Sequence, residues 1–201
     1  MISLLLFSMV SISSLMGCAA CDSACNRGAK VVPALELIDP SWGAEPVDCE
    51  VNHAPPDPKN GCIYKRLECN SVVEDTTRGG KNHFDDDFYQ QGFCTPQRNN
   101  YEKSPEAIYQ LRVAPNTQVD MRLDSNCADL DLVAMAWDET RCPTPQHATT
   151  IQKECEMDTK DGGGTLRVTT VTNPQTYLIA VDGKQGAYGN FRLTVNCKLY
   201  R

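Results

Sequence analysis

Thr117-Gln118-Val119-Asp120-Met121-Arg122-Leu123 alternates apolar and polar side chains, with Val119, Met121 and Leu123 on one parity and Gln118, Asp120 and Arg122 on the other. Successive side chains of an extended chain point to opposite faces, so this period of two buries one face and wets the other. A helix would need apolar spacings of three and four, which the stretch lacks. The same period recurs in Phe191, Leu193 and Val195 set against Arg192, Thr194 and Asn196, and again in Tyr109, Leu111 and Val113.

Further along the chain, Leu130 to Trp137 is nearly continuous apolar sequence, as expected of a strand covered on both faces. Leu166 to Val171 and Tyr177 to Val181 bring the set to six strands. Ala114-Pro115-Asn116 lies between two of them and predicts a hairpin joining Ala107–Val113 to Thr117–Leu123. Asn173-Pro174-Gln175 and the glycines Gly183, Gly186 and Gly189 supply turns, the glycines being read as positive-φ positions. Short strands between turn clusters predict an all-β, antiparallel β-sandwich over residues 67–201.

The N-terminal part has a different texture. Met1 to Gly17 carries no charged side chain, and the apolar run Ile2 to Val10 is too short to span a bilayer. Leu15-Met16-Gly17-Cys18 resembles a bacterial lipobox, which makes residues 1–17 a cleaved lipoprotein signal and Cys18 the lipid-modified first residue of the mature chain. Met1-Ile2-Ser3 lacks the basic residue usual in such a leader. Two or more acyl chains hold a protein on a membrane without a protein span. Residues 18–66, rich in Cys and Pro, read as a tethering arm stapled by disulfides.

Of the eleven cysteines in the chain, lipidation of Cys18 leaves an even number, consistent with bridges in an oxidising compartment. Cys18-Ala19-Ala20-Cys21 has the CxxC form of a zinc site, but no second CxxC follows it. A net charge of −7 and the absence of a stretch combining Lys or Arg with aromatics exclude nucleic acid as the expected partner.

Five short stretches taken in order look familiar: Asp75-Thr76-Thr77-Arg78-Gly79-Gly80, Ser104-Pro105-Glu106-Ala107-Ile108-Tyr109, Ala128-Asp129-Leu130-Asp131-Leu132, Tyr177-Leu178-Ile179-Ala180-Val181-Asp182-Gly183, and Gly186-Ala187-Tyr188-Gly189-Asn190-Phe191-Arg192-Leu193-Thr194-Val195. Together they resemble the bacterial pre-peptidase C-terminal domain, over roughly Cys69 to Cys197. The resemblance implies a jelly-roll-like β-sandwich acting as a noncatalytic accessory or binding module of exported proteins. It also implies a disulfide in the loop before the late strands, for which Cys142 and Cys155 are the candidates, though at a wider spacing than in the family. The quoted residues themselves read as fold determinants, with Glu106 capping or pairing near a strand start.

No GxSxG elbow, HExxH helix or phosphate-binding glycine loop occurs, so no catalytic residue is assigned and the chain is not expected to be an enzyme. His53, His83 and His147 fall in segments dense in Pro, Asp or Thr. Asp85, Asp86 and Asp87 form the sharpest polar feature. They are candidate calcium ligands, since adjacent carboxylates in a loop can supply several of the six to eight oxygens calcium takes. Asp129 with Asp131, and Asp158 with Asp161, are a second conceivable oxygen cluster. The alternative for all of them is a solvated loop or edge role. Trp42, Phe84, Phe88, Tyr89 and Tyr101 either form a docking patch or cover the sandwich.

These features predict a lipid-anchored protein of the bacterial cell envelope, at the outer membrane and facing the periplasm or the exterior. Its expected partners are the membrane, through lipid on Cys18, and an envelope or extracellular protein or polysaccharide. Two alternatives are an accessory or inhibitor-like partner of a secreted protease, and a calcium-stabilised carbohydrate or matrix binder.

Overall fold

The computed structural model describes residues 46–58, 61–91, 101–139, 141–156 and 162–199. The signal and lipidation site at Cys18, together with Cys21, Cys25, Trp42, Asp158 and Asp161, lie outside the described residues. The strands are β1 (Lys65–Leu67), β2 (Ser71–Thr76), β3 (Ala107–Val113), β4 (Thr117–Asp124), β5 (Leu130–Ala136), β6 (Lys153–Glu156), β7 (Gly164–Thr170), β8 (Gln175–Gly183) and β9 (Asn190–Leu199), with one short helix, α1 (Asp86–Gln90).

They form two sheets, one ordered β1-β3-β8-β5-β6 and the other β2-β9-β4-β7. Pairing is antiparallel except between β1 and β3. This is the expected β-sandwich. Tyr109, Leu132 and Ile179 from the five-stranded sheet meet Met121, Phe191 and Leu193 from the four-stranded one in the core between them. At about 2–3 kcal/mol per fully buried large side chain, this interface is the main source of stability.

Three expectations need correction. The strands flanking Ala114-Pro115-Asn116 are not a hairpin: β3 pairs with β8 in one sheet, and β4 with β7 and β9 in the other. The turn, with Asn116 at φ 51°, carries the chain across the sandwich. The period of two holds in both strands, but a short loop between two alternating segments fits a sheet-to-sheet crossing as well as a hairpin. Cys142 does not bond Cys155; it bonds Cys62, and Cys155 is itself disulfide-bonded. Spacing in sequence could not reveal this, because the partners are 80 residues apart.

The described part of the arm is tied to the body. Cys49 bonds Cys127, Cys69 bonds Cys197, and β1 joins the five-stranded sheet. Asp75 adds a polar tie here, its Oδ2 accepting from Lys65 Nζ at 2.7 Å and from the Tyr109 hydroxyl at 3.0 Å. The third correction is that of Gly183, Gly186 and Gly189 only Gly186 has a positive φ, +83°. Gly183 and Gly189 are needed for close approach, since a Cβ there would run into the Ala187 carbonyl and the Ala128 methyl respectively.

A second apolar layer lies on the outer face of the five-stranded sheet. Ile108, Val133, Met135, Leu178 and Ala180 point away from the sandwich core and are covered by Phe84, Phe88, Tyr89 and Tyr101. These four rings are at most 1 % exposed, so they cover the sheet and offer no docking patch. They interlock edge to face, with Tyr89 5.2 Å from Tyr101 and 5.8 Å from Phe88, while Phe84 and Phe88 stack at 4.5 Å. This layer explains why β5 reads as apolar on both faces.

Candidate functional site

The cap begins with a local rule. Asp85 stands at the N-cap of α1 in extended conformation, and its Oδ1 accepts from the Phe88 amide at 2.8 Å. An N-cap carboxylate followed by Asp86 and Asp87 in the first turn suits both the free amides and the positive end of a helix. The run of three aspartates is therefore divided. Asp85 caps, Asp86 is buried with its Oδ1 accepting from the Tyr101 amide at 3.0 Å, and Asp87 faces outward. Among the described residues no three His, Cys, Asp or Glu side chains gather in a way that could hold a metal ion.

Beneath the cap the sheet carries a row of acids. Asp131 on β5 lies in register with Asp182 on β8, and Glu106, one residue before β3, continues the row beyond the Ala107–Val181 pair. All three are at most 3 % exposed. Like charges directly opposite one another in a sheet repel, and burial disfavours ionisation further. Burial, then Asp182, pushes the Glu106 carboxyl well above its usual range, and burial, then the neighbouring carboxylates, does the same to Asp182. Asp131 is pushed up to about 6, chiefly by burial, with the Tyr101 hydroxyl and Lys184 acting in the opposite direction.

Each acid receives donors from the cap or its own loop. Glu106 accepts from the amides of His83 at 3.1 Å and Phe84 at 2.7 Å. Asp182 accepts from the Tyr89 hydroxyl at 2.8 Å and the Gly183 amide at 2.7 Å. Asp131 accepts from the Tyr101 hydroxyl, and the Lys184 ammonium stands 3.4 Å from it and 3.6 Å from Asp129. The three carboxylates are almost fully covered, and their hydrogen bonds hold the cap segment to the sheet. The arrangement acts as an anchor.

Next to the cap the same sheet face is open. Arg66, Gln110, Arg112 and Thr176, together with Glu68 and Asp138, line a groove of about 490 Å³. Arg66 pairs in register with Gln110, and Arg112 with Thr176, which places the four side chains as a patch across β1, β3 and β8. A smaller hollow of about 300 Å³ lies between Glu154, Arg167 and Tyr177. The outward position of Gln110 and Arg112 follows from alternation in β3, but nothing in the Pro-rich segment signals that Arg66 joins them. The acid row escapes sequence reasoning because Glu106, Asp131 and Asp182 are far apart in the chain and only the register aligns them.

No protein-family model and no curated protein matches the chain. Among solved structures it is similar to the pre-peptidase C-terminal domain of a collagenase from Bacillus anthracis, at 12 % identity and a TM-score of 0.38, over 70 % of this chain and 98 % of that one. The β-sandwich assignment stands on the two paired sheets themselves.

Proposed function

We propose that this protein is an exported, lipid-anchored, noncatalytic β-sandwich module that works by contact with an envelope or extracellular partner. The observation that carries the reading is the disulfide pattern. Cys49–Cys127, Cys62–Cys142 and Cys69–Cys197 each tie a residue before Asn70 to the sandwich, over 78, 80 and 128 residues of chain. Such bridges form and persist in oxidising compartments, which agrees with an export signal ending at Cys18. The noncatalytic part of the reading rests on the buried acids under the cap being spent on cap donors.

Intact-mass measurement of the native membrane fraction, with and without reduction, tests the reading. The expected chain starts at Cys18, carries acyl mass, and gains two hydrogens per bridge on reduction. Cys18→Ser releases the protein from the membrane fraction. A native chain with free thiols and an unmodified Cys18 would overturn the reading.

A further inference from the structure

We propose that the open groove on β1, β3 and β8 binds an extended peptide segment that carries a single carboxylate side chain, held by Arg66 and Arg112. The inference rests on the contact-module reading above and names the site and its ligand.

The first support is the state of the arginines. Arg122, Arg167 and Arg192 are each paired with a carboxylate, on Asp124, Asp120 and Glu74. Arg66 and Arg112 have no hydrogen-bond or ion-pair partner among the described residues, although the chain as a whole is acidic, at −7. Both line the same groove, together with Gln110 and Thr176. Two guanidinium forks beside neutral donors suit a carboxylate, which each fork can grip with two parallel hydrogen bonds. Glu68 and Asp138 in the same lining repel a run of acids, so the groove favours an isolated carboxylate over a polyanion.

The second support is the sheet edge. β1 is the outermost strand, with β3 as its neighbour. The Tyr64 amide bonds the Ile108 carbonyl at 2.7 Å, so alternation turns the main-chain groups of Lys65 and Leu67 to the open edge. A peptide laid along that edge gains main-chain hydrogen bonds, and its alternate side chains face the groove beside Arg66. Among the described residues no aromatic ring lines the groove to stack on a sugar, which favours a peptide over a polysaccharide.

The test uses the full, oxidised chain, immobilised and exposed to a mixture-based library of acetylated, amidated octapeptides. Retained peptides should be enriched in sequences with one Asp or Glu among β-branched residues. The best of them, labelled for fluorescence anisotropy, should bind at least about ten-fold more weakly to Arg66→Gln/Arg112→Gln, whose melting temperature stays that of the parent. Methylating alternate backbone nitrogens of the peptide should also abolish binding. Absence of acid enrichment, equal binding by the double variant, or tighter capture of polygalacturonate through the same arginines would each overturn the proposal. Acylation of Cys18 is untouched by any of these outcomes, so the two readings fail separately.

Discussion

Replacing Asp131 by Asn should make the protein more stable above pH 7, by about half as much near pH 5, and leave it nearly unchanged below about pH 4. In the folded chain the Asp131 carboxyl titrates at about 6, against 3.8 for an ordinary aspartate. Between those values the folded state keeps a proton that the unfolded state has lost, so stability falls as pH rises through this window. The gap between the two values corresponds to about 3 kcal/mol, fully lost once the pH exceeds both. The Asn side chain keeps an oxygen to accept from the Tyr101 hydroxyl but never acquires the charge opposite Asp182. Lys184 keeps Asp129, at 3.6 Å, as a partner. Urea unfolding of the disulfide-intact protein at a series of pH values, followed by tryptophan fluorescence, measures the effect. With a slope of about 1–3 kcal/mol per molar urea, the midpoint at pH 8 should rise by about 1 M or more. Parallel pH curves for parent and variant, or a parent that gains stability between pH 5 and 8, would refute the reasoning. The carboxyls of Glu106 and Asp182 are also raised, so they add to the decline of the parent in the same direction.

Asp85→Asn should leave stability within a few tenths of a kcal/mol while Asp85→Ala loses about 1 kcal/mol, because Asn caps a helix as well as Asp does; a calcium ligand would instead give large losses for both, and a calcium-dependent melting temperature. Cys62→Ser/Cys142→Ser should lower stability by up to about 4.5 kcal/mol, from freeing a loop closed over 80 residues, as read from urea unfolding. Gly183→Ala should lose about 1–3 kcal/mol, since the added methyl meets the Ala187 carbonyl, whereas Gly186→Ala meets no atom and loses stability through its positive φ alone. Thermal unfolding of the two glycine variants side by side separates steric from conformational cost.

Side-chain parity makes most of the sandwich legible. Residues alternating along β3, β4 and β9 need no partner to show which face is buried, and each strand read from them lies within a few residues of its observed place. Partner choice is hidden, because register and sheet membership depend on contacts between distant segments; β3 and β4 are close in sequence yet belong to different sheets. Helix α1 is signalled by an acid at its N-cap and two more in its first turn, but at five residues it has no room for an apolar period. The candidate groove is half visible. Gln110 and Arg112 are outward by alternation, while Arg66 joins them through the pairing of β1 with β3, in a segment flanked by the bridges from Cys62 and Cys69.

The acid row also has a physical reason for being where it is. A segment lying on a sheet face, instead of pairing at its edge, brings main-chain amides with no ladder to join, and a buried unpaired amide costs about as much as a lost hydrogen bond. The amides of His83, Phe84 and Tyr101 are in this position, and they are met by Glu106 and Asp86. Carboxylates are short, rotatable and carry two acceptor oxygens each, so they fit an irregular path better than a fixed carbonyl could. Raised proton affinities are the consequence of grouping such acceptors under an aromatic cover, and they couple the hold of the cap to pH. An apolar row at Glu106, Asp131 and Asp182 would remove the repulsion and strand the donors of the cap. Glu106→Leu should therefore destabilise the cap at acidic pH, where the repulsion it relieves is already absent, and lose protection of the His83 and Phe84 amides in hydrogen exchange before that of β4 and β9.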